Sequence, residues 1–245
     1  MNRIYLILGA SSEVGMAYMK HLMNLGEPAT VLAHYRNHSL EFDKLCMADS
    51  VVSIIPLQAD LSKEKEVEQL ILTIKNTTGI PTHILHLPAG KLEYSKIKQI
   101  DWDNVKDDFE VQVMSLGKVL QAFLPQMAKK KYGKVAVMLS SAVIGMPPKF
   151  MTAYTINKYA LLGLMKSTAM EYADKGININ GLSPNMMETK FLQNVDERLI
   201  EMTVASSKMQ RNIEIKEVIP AIHFLLSEGS DYMNGVNINL SGGDR

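Results

Sequence analysis

The sequence predicts an α/β fold: one doubly wound parallel sheet of about seven strands with helices on both faces. Three observations predict it. Short apolar runs alternate with longer helical patterns from one end to the other, the pattern of βαβ units. A glycine turn follows the first apolar run and opens the first helical one. No Pro/Gly/Ser linker, composition shift or internal repeat divides the 245 residues, so residues 1–245 read as a single domain.

The elements follow in order. Strand 3–8, with Ile4-Tyr5-Leu6-Ile7-Leu8, is continuously apolar, as a strand buried on both faces should be. A helix over 13–25 leads to strand 29–34, a short helix at 40–48 and strand 51–56. Asp60-Leu61-Ser62 followed by Lys63-Glu64-Lys65-Glu66 reads as a cap and a charged first turn for a helix over 63–76. Strand 82–87 precedes a long helix over 102–129, and strand 134–140 precedes one over 152–174. Strand 177–182, a short helix at 196–206 and a helix over 214–227 lead to strand 236–240. That last strand alternates Val236, Ile238 and Leu240 with Asn237 and Asn239, which suits a half-exposed edge or an interface.

Composition narrows the function. Basic and acidic residues number 26 each, leaving no electrostatic footprint for nucleic acid or an anionic membrane. Lys129-Lys130-Lys131 with Lys134 reads as a solvated helix end. Cys46 is the only cysteine, so a disulfide framework is excluded and a reducing compartment, the cytoplasm, is expected. No apolar run approaches the roughly 18 residues that span a bilayer. The six histidines lack metal-ligand spacing, and Asp101, Asp103, Asp107 and Asp108 complement a helix dipole; no metal is expected.

Gly9-Ala10-Ser11-Ser12-Glu13-Val14-Gly15 sits between a strand and a helix, where backbone N–H groups and the helix dipole can hold a pyrophosphate. Glycine at 9 permits the tight turn, and glycine at 15 lets helix approach strand. The second strand ends His34-Tyr35-Arg36-Asn37. It offers no carboxylate for a ribose 2′-hydroxyl, whereas the planar cation of Arg36 suits a 2′-phosphate. NADP(H) is therefore the preferred cofactor, with NAD(H) as the alternative.

Tyr154 and Lys158 lie four residues apart on one helix face, a spacing suited to proton chemistry if the ammonium lowers the phenol's pKa from about 10. Tyr94 and Lys98 repeat the spacing, for which chance and surface exposure suffice. Ser141 separates the two pairs: it stands thirteen residues before Tyr154 at the carboxyl end of the fifth strand, where open α/β sheets place ligands.

Together with Asp60-Leu61, Ala89-Gly90, Ser140-Ser141, Tyr154-Thr155-Ile156-Asn157-Lys158, Ser183-Pro184, Thr189, Gly235 and Gly242-Gly243, these motifs resemble the short-chain dehydrogenases/reductases, most closely the 3-oxoacyl-acyl-carrier-protein reductase branch. The resemblance covers nearly the whole chain. It implies a Rossmann-type fold and a catalytic set of Tyr154 as acid, Ser141 as its hydrogen-bonding partner and Lys158 on the nicotinamide ribose. It places Gly9, Ser11, Ser12, Val14 and Gly15 around the phosphates. Asp60 and Leu61 fall at the adenine, Ala89 and Gly90 at its ribose, and Pro184, Met187 and Thr189 toward the nicotinamide. It further implies a small-molecule or acyl-thioester substrate and a homo-oligomer, tetramer or dimer.

Four positions depart from the family pattern: Glu13 for glycine, Leu87-Pro88 for two asparagines, Asn185 for glycine after Pro184, and Gln112 for the asparagine of the proton relay. The added methylene of Gln112 predicts a slowed relay, quickened by Gln112→Asn. The function expected is NADP(H)-dependent hydride transfer between nicotinamide and a carbonyl or alcohol. The alternatives are an NAD-linked alcohol dehydrogenase and a catalytically weak cofactor-binding regulator.

Overall fold

The structure, a computed structural model, describes residues 3–90, 92–193 and 195–244. Seven parallel strands form one sheet in the order β3-β2-β1-β4-β5-β6-β7. They are β1 (Arg3–Leu8), β2 (Ala29–Tyr35), β3 (Val52–Gln58), β4 (His83–His86), β5 (Gly133–Met138), β6 (Ile177–Pro184) and β7 (Asn237–Leu240). Between them run helices α1 (Glu13–Asn24), α2 (Leu40–Cys46), α3 (Glu64–Thr77), α4 (Trp102–Phe109), α5 (Ser115–Lys129), α6 (Thr152–Glu171), α7 (Glu197–Ser206) and α8 (Ile215–Leu225).

The period of two along each strand builds two cores. Leu6 and Leu8 of β1 face one way, joining Leu70 and Ile74 of α3, Phe123 of α5 and Leu161 of α6. Tyr5 and Ile7 face the other way, against Met19 of α1 and Ile222 of α8. Because β1 pairs with both β2 and β4, strand order reverses at β1, and a crevice opens above the carboxyl ends of β1 and β4. β7 is the edge strand that its alternation predicts.

Three local expectations are corrected. The helix expected over 102–129 is interrupted by a π-helical turn, Glu110–Met114, between α4 and α5. Such turns carry one extra residue and gather at functional sites; this one holds Gln112 fully buried. Strand β5 stops at Met138, so Ser140 and Ser141 enter a short 3₁₀ turn, Ser141–Val143, instead of ending the strand. Lys134 is no solvated helix end: it lies buried in β5, paired with Asp231 and bonded to Asn178 Oδ1 at 3.0 Å.

Candidate active site

The first half of the crevice is made of backbone. Gly9 adopts φ 78°, a left-handed conformation that L side chains avoid. A Cβ added to Gly15 would lie 2.6 Å from the Ala10 carbonyl oxygen, so α1 approaches β1 at a distance only glycine allows. Ser12 caps α1: its Oγ accepts from Gly15 N at 3.1 Å and donates to the Gly9 carbonyl at 2.7 Å. Ser11 lies half-buried beside it, and Val14 is packed beneath.

His34, passed over in the sequence reading, fastens this turn. Its Nδ1 accepts from Gly9 N at 3.1 Å and its Nε2 lies 3.0 Å from the Ala59 carbonyl, an arrangement that assigns the neutral Nε2–H tautomer. Burial brings its pKa down to about 4. The sequence signal was a histidine one residue short of the end of an apolar strand.

Past β2, Arg36 is exposed and close enough to Asp60 to act on its charge. Burial raises the Asp60 carboxyl, yet hydrogen bonds from Ser62 and the charges of Arg36 and Lys63 bring it below its ordinary value. Leu61 is buried next to it. Glu13 turns its carboxylate toward the far wall, where its Oε2 accepts from Lys190 N at 2.7 Å.

The second half is made of side chains. Lys158 is buried on α6, donates from Nζ to the Met138 carbonyl at 3.1 Å, and stands 5.7 Å from the centroid of the Tyr154 ring. Burial pushes Lys158 down to about 8, against the pull of Asp108. Tyr154 is pushed up to about 12, first by burial; the Ser140 hydroxyl opposes this, while Asp108 and Tyr94 add to it. In the chain alone, burial outweighs the lowering that the sequence leads one to expect from Lys158.

The Ser140 hydroxyl acts on Tyr154 and pulls its pKa down, and Ser141, thirteen residues before Tyr154, opens the same 3₁₀ turn. Ser140 is the extended residue capping the 3₁₀ turn, with Oγ accepting from Ala142 N at 3.2 Å. Ser141, one residue on, directs its Oγ to Asn185 Oδ1 at 3.4 Å. Tyr94 is no surface residue: it is half-buried in an apolar cluster with Tyr154, Leu92, Met151, Phe191 and Leu192 that walls the crevice.

Around this core, Gly90 N donates to Asp108 Oδ1 at 2.6 Å, with Ala89 beside it. Asp108 Oδ2 accepts from Gln112 Nε2 at 2.6 Å and from Asn157 Nδ2 at 2.9 Å. Asp108 thus leaves the dipole-complementing role expected of it and becomes the centre of a polar knot. Pro184 closes β6, Met187 bridges to Ile213, and Thr189 precedes the 3₁₀ turn Lys190–Leu192. Asn185 bonds Asp244 Oδ2 at 2.8 Å. Among the described residues no metal-binding group of histidine, cysteine and carboxylate side chains occurs, and no helix is long and apolar enough to cross a membrane.

Known proteins share the family and the fold. A family profile described as "Enoyl-(Acyl carrier protein) reductase" matches residues 9–244. The chain is 23% identical over 247 residues to rabbit (Oryctolagus cuniculus) dehydrogenase/reductase SDR family member 4, covering 99% of this chain and 93% of the relative. It is 25% identical over 254 residues to the 3-oxoacyl-[acyl-carrier-protein] reductase FabG of Staphylococcus epidermidis, covering 99% of each. Its fold matches an NAD+-bound xylitol dehydrogenase (TM-score 0.86, 22% identity, 98% of each chain). It likewise matches the Burkholderia cenocepacia gluconate 5-dehydrogenase in complex with NADP and tartrate (TM-score 0.85, 22% identity, 99% and 95% of the chains).

Proposed function

The chain belongs to the short-chain dehydrogenase/reductase family of NAD(P)-dependent oxidoreductases, and on that premise we propose that it is an NADP(H)-dependent enzyme reducing a carbonyl, or oxidising the matching alcohol, of a small molecule or a 3-oxoacyl thioester. One observation carries the reading: buried Lys158, with its Nζ 5.7 Å from the Tyr154 ring centroid, belongs to the same single sheet domain as a glycine turn with no room for a Cβ at Gly15.

The residues present fit the cofactor. Gly9 and Gly15 leave a cradle that a Cβ would fill, and α1 presents its N-terminus there. Gly9, Ser11, Ser12, Val14 and Gly15 would hold the phosphates; Asp60 and Leu61 the adenine; Ala89 and Gly90 its ribose; Pro184, Met187 and Thr189 the nicotinamide end. Arg36, exposed where β2 ends and without a neighbouring ribose-binding acid on that strand, suits a 2′-phosphate. The bound cofactor supplies the hydride. Tyr154 gives its proton to the carbonyl oxygen, Ser140 steadies the phenol, and Lys158 compensates the phenolate left behind. Ser141, whose Oγ also donates to Asn185 Oδ1 at 3.4 Å, would hydrogen-bond the reacting oxygen beside Tyr154. The apolar wall of Leu92, Met151, Phe191 and Leu192 favours a substrate with an acyl or alkyl arm. Exposed Ile156, Tyr159 and Met170 on α6 support assembly into a dimer or tetramer, which light scattering tests.

The test is cofactor oxidation against a carbonyl panel that includes 3-oxoacyl thioesters, with NADPH and NADH in parallel. Turnover faster with NADPH is expected; inactivity on every member contradicts the reading.

A further inference from the structure

Asp108 lies outside the serine, tyrosine and lysine set, yet three segments of the site converge on it. Its Oδ1 receives Gly90 N at 2.6 Å, from the turn after β4. Its Oδ2 receives Gln112 Nε2 at 2.6 Å, from the π turn, and Asn157 Nδ2 at 2.9 Å, from the residue preceding Lys158 on α6. Asn157 Nδ2 also reaches the Val105 carbonyl at 3.1 Å, tying α6 to α4. Gly90 makes the approach possible, since a Cβ there would lie 2.2 Å from Asp108 Oδ1.

The two amides reveal how strongly the carboxylate dictates this geometry. Both turn their nitrogens to Asp108, and in doing so leave Gln112 Oε1 and Asn157 Oδ1 buried with no protein partner among the described residues. A buried orphan acceptor is costly, and the arrangement persists because charge-assisted bonds to a carboxylate are the strong kind. Three N–H donors converge on the Asp108 carboxylate.

We propose that Asp108 is a positioning residue of the reaction: its carboxylate locks the cofactor loop at Gly90, the π turn at Gln112 and helix α6 at Asn157 into one unit, one residue from Lys158, and supplies a counter-charge to that lysine. The inference rests on the oxidoreductase reading above for its kinetic part and on the hydrogen bonds for its positioning part. Lys158 is faced by the neutral His86 of β4, the Met138 carbonyl of β5 and Tyr154 of its own helix; Asp108 supplies the anionic charge that acts on it. The groups bonded to Asp108, namely Gly90, Gln112 and Asn157, are uncharged, so its charge is left to act on Lys158 and Tyr154.

The experiment follows Lys158 directly, by carbon NMR of lysine labelled at Cε in the free protein, alongside the pH dependence of kcat. Asp108→Asn is expected to lower the Lys158 titration midpoint by about one pH unit, to move the corresponding limb of kcat the same way, and to reduce kcat about tenfold or more. The exchange Asp108→Asn with Gln112→Glu returns a carboxylate to the knot and should recover most of the midpoint and part of kcat. An unchanged Lys158 midpoint in both variants, folded by circular dichroism, overturns the proposal. If Asp108→Asn fails to fold, Asp108→Ser, which keeps an oxygen to accept from Gly90 N but removes the charge, takes its place: a Lys158 midpoint about one unit lower upholds the proposal, and an unchanged midpoint overturns it. A Lys158 midpoint that moves while no member of the substrate panel turns over would uphold the electrostatic role and count against the oxidoreductase reading instead.

Discussion

The two halves of the crevice are built on different principles. The phosphate half uses backbone: a left-handed Gly9, a Gly15 with no room for a Cβ, and Ser12 capping α1. His34 and Ser12 act there by bracing that backbone. The proton half uses side chains drawn from α4, the π turn, the turn after β5 and α6, held by Asp108, Ser140 and the Met138 carbonyl. A backbone-built site tolerates exchange of residues that point away, as Glu13 illustrates by turning to Lys190 N. A site built from side chains is only as good as the partners that hold them. Departures from the family pattern should therefore cost little in the first half and much in the second.

Removing Lys158 is the severest way to break the second half. Lys158→Ala should reduce kcat/KM about a thousandfold and weaken cofactor binding as well, measured by steady-state kinetics and cofactor fluorescence titration. Arg36→Glu probes the first half, where a single charged contact is worth about ten- to a hundredfold. The ratio of NADPH to NADH affinity should fall by that factor, and an unchanged ratio removes Arg36 as the phosphate ligand. Gly15→Ala forces a Cβ to within 2.6 Å of a backbone oxygen that cannot step aside. It should cost about 1–3 kcal/mol, read as a lower thermal midpoint together with weaker cofactor binding.

Gln112→Asn sharpens the contrast because the structure reverses what the sequence alone implied. Shortening the side chain was expected to quicken a proton relay. The Gln112 amide instead holds Asp108 at 2.6 Å, and an asparagine head group would sit about one bond length too far back. A severalfold loss of kcat with unchanged cofactor affinity is now expected, and a gain would restore the relay explanation.

A separate test of burial is stability against acid. Burial holds His34 at about 4 and His83 and His86 at about 3, so each stays neutral in the folded chain. An unfolded histidine titrates near 6.5, so below that pH the unfolded state binds protons that the folded state refuses. Stability should therefore fall as pH drops from about 6.5 toward 4. Denaturant midpoints that stay flat over this window would show that the imidazoles are not buried neutral.

The same contrast explains what could be read from the sequence. The placement of Gly9 and Gly15 was legible because a turn between a strand and a helix is a local pattern. That of Tyr154 and Lys158 on one helix face was legible because they are one helical repeat apart, although Tyr94 and Lys98 share that spacing. The sheet was legible because alternation and apolar runs report burial directly, as β1 and β7 illustrate. Asp108 was not, because its partners lie 18 residues before it at Gly90 and 49 after it at Asn157. A run of acids at a helix start looks the same whether it faces water or a buried amide.

The central claim is that the crevice moves a hydride with Tyr154 as its proton donor. Its most direct test measures NADPH binding and NADPH-dependent reduction of the best substrate in the panel, in wild type and in Tyr154→Phe. The phenol hydroxyl alone is deleted, so cofactor affinity should stay within about twofold while turnover falls by a factor on the order of a thousand. Turnover retained in Tyr154→Phe, with the cofactor bound as tightly as before, would contradict it.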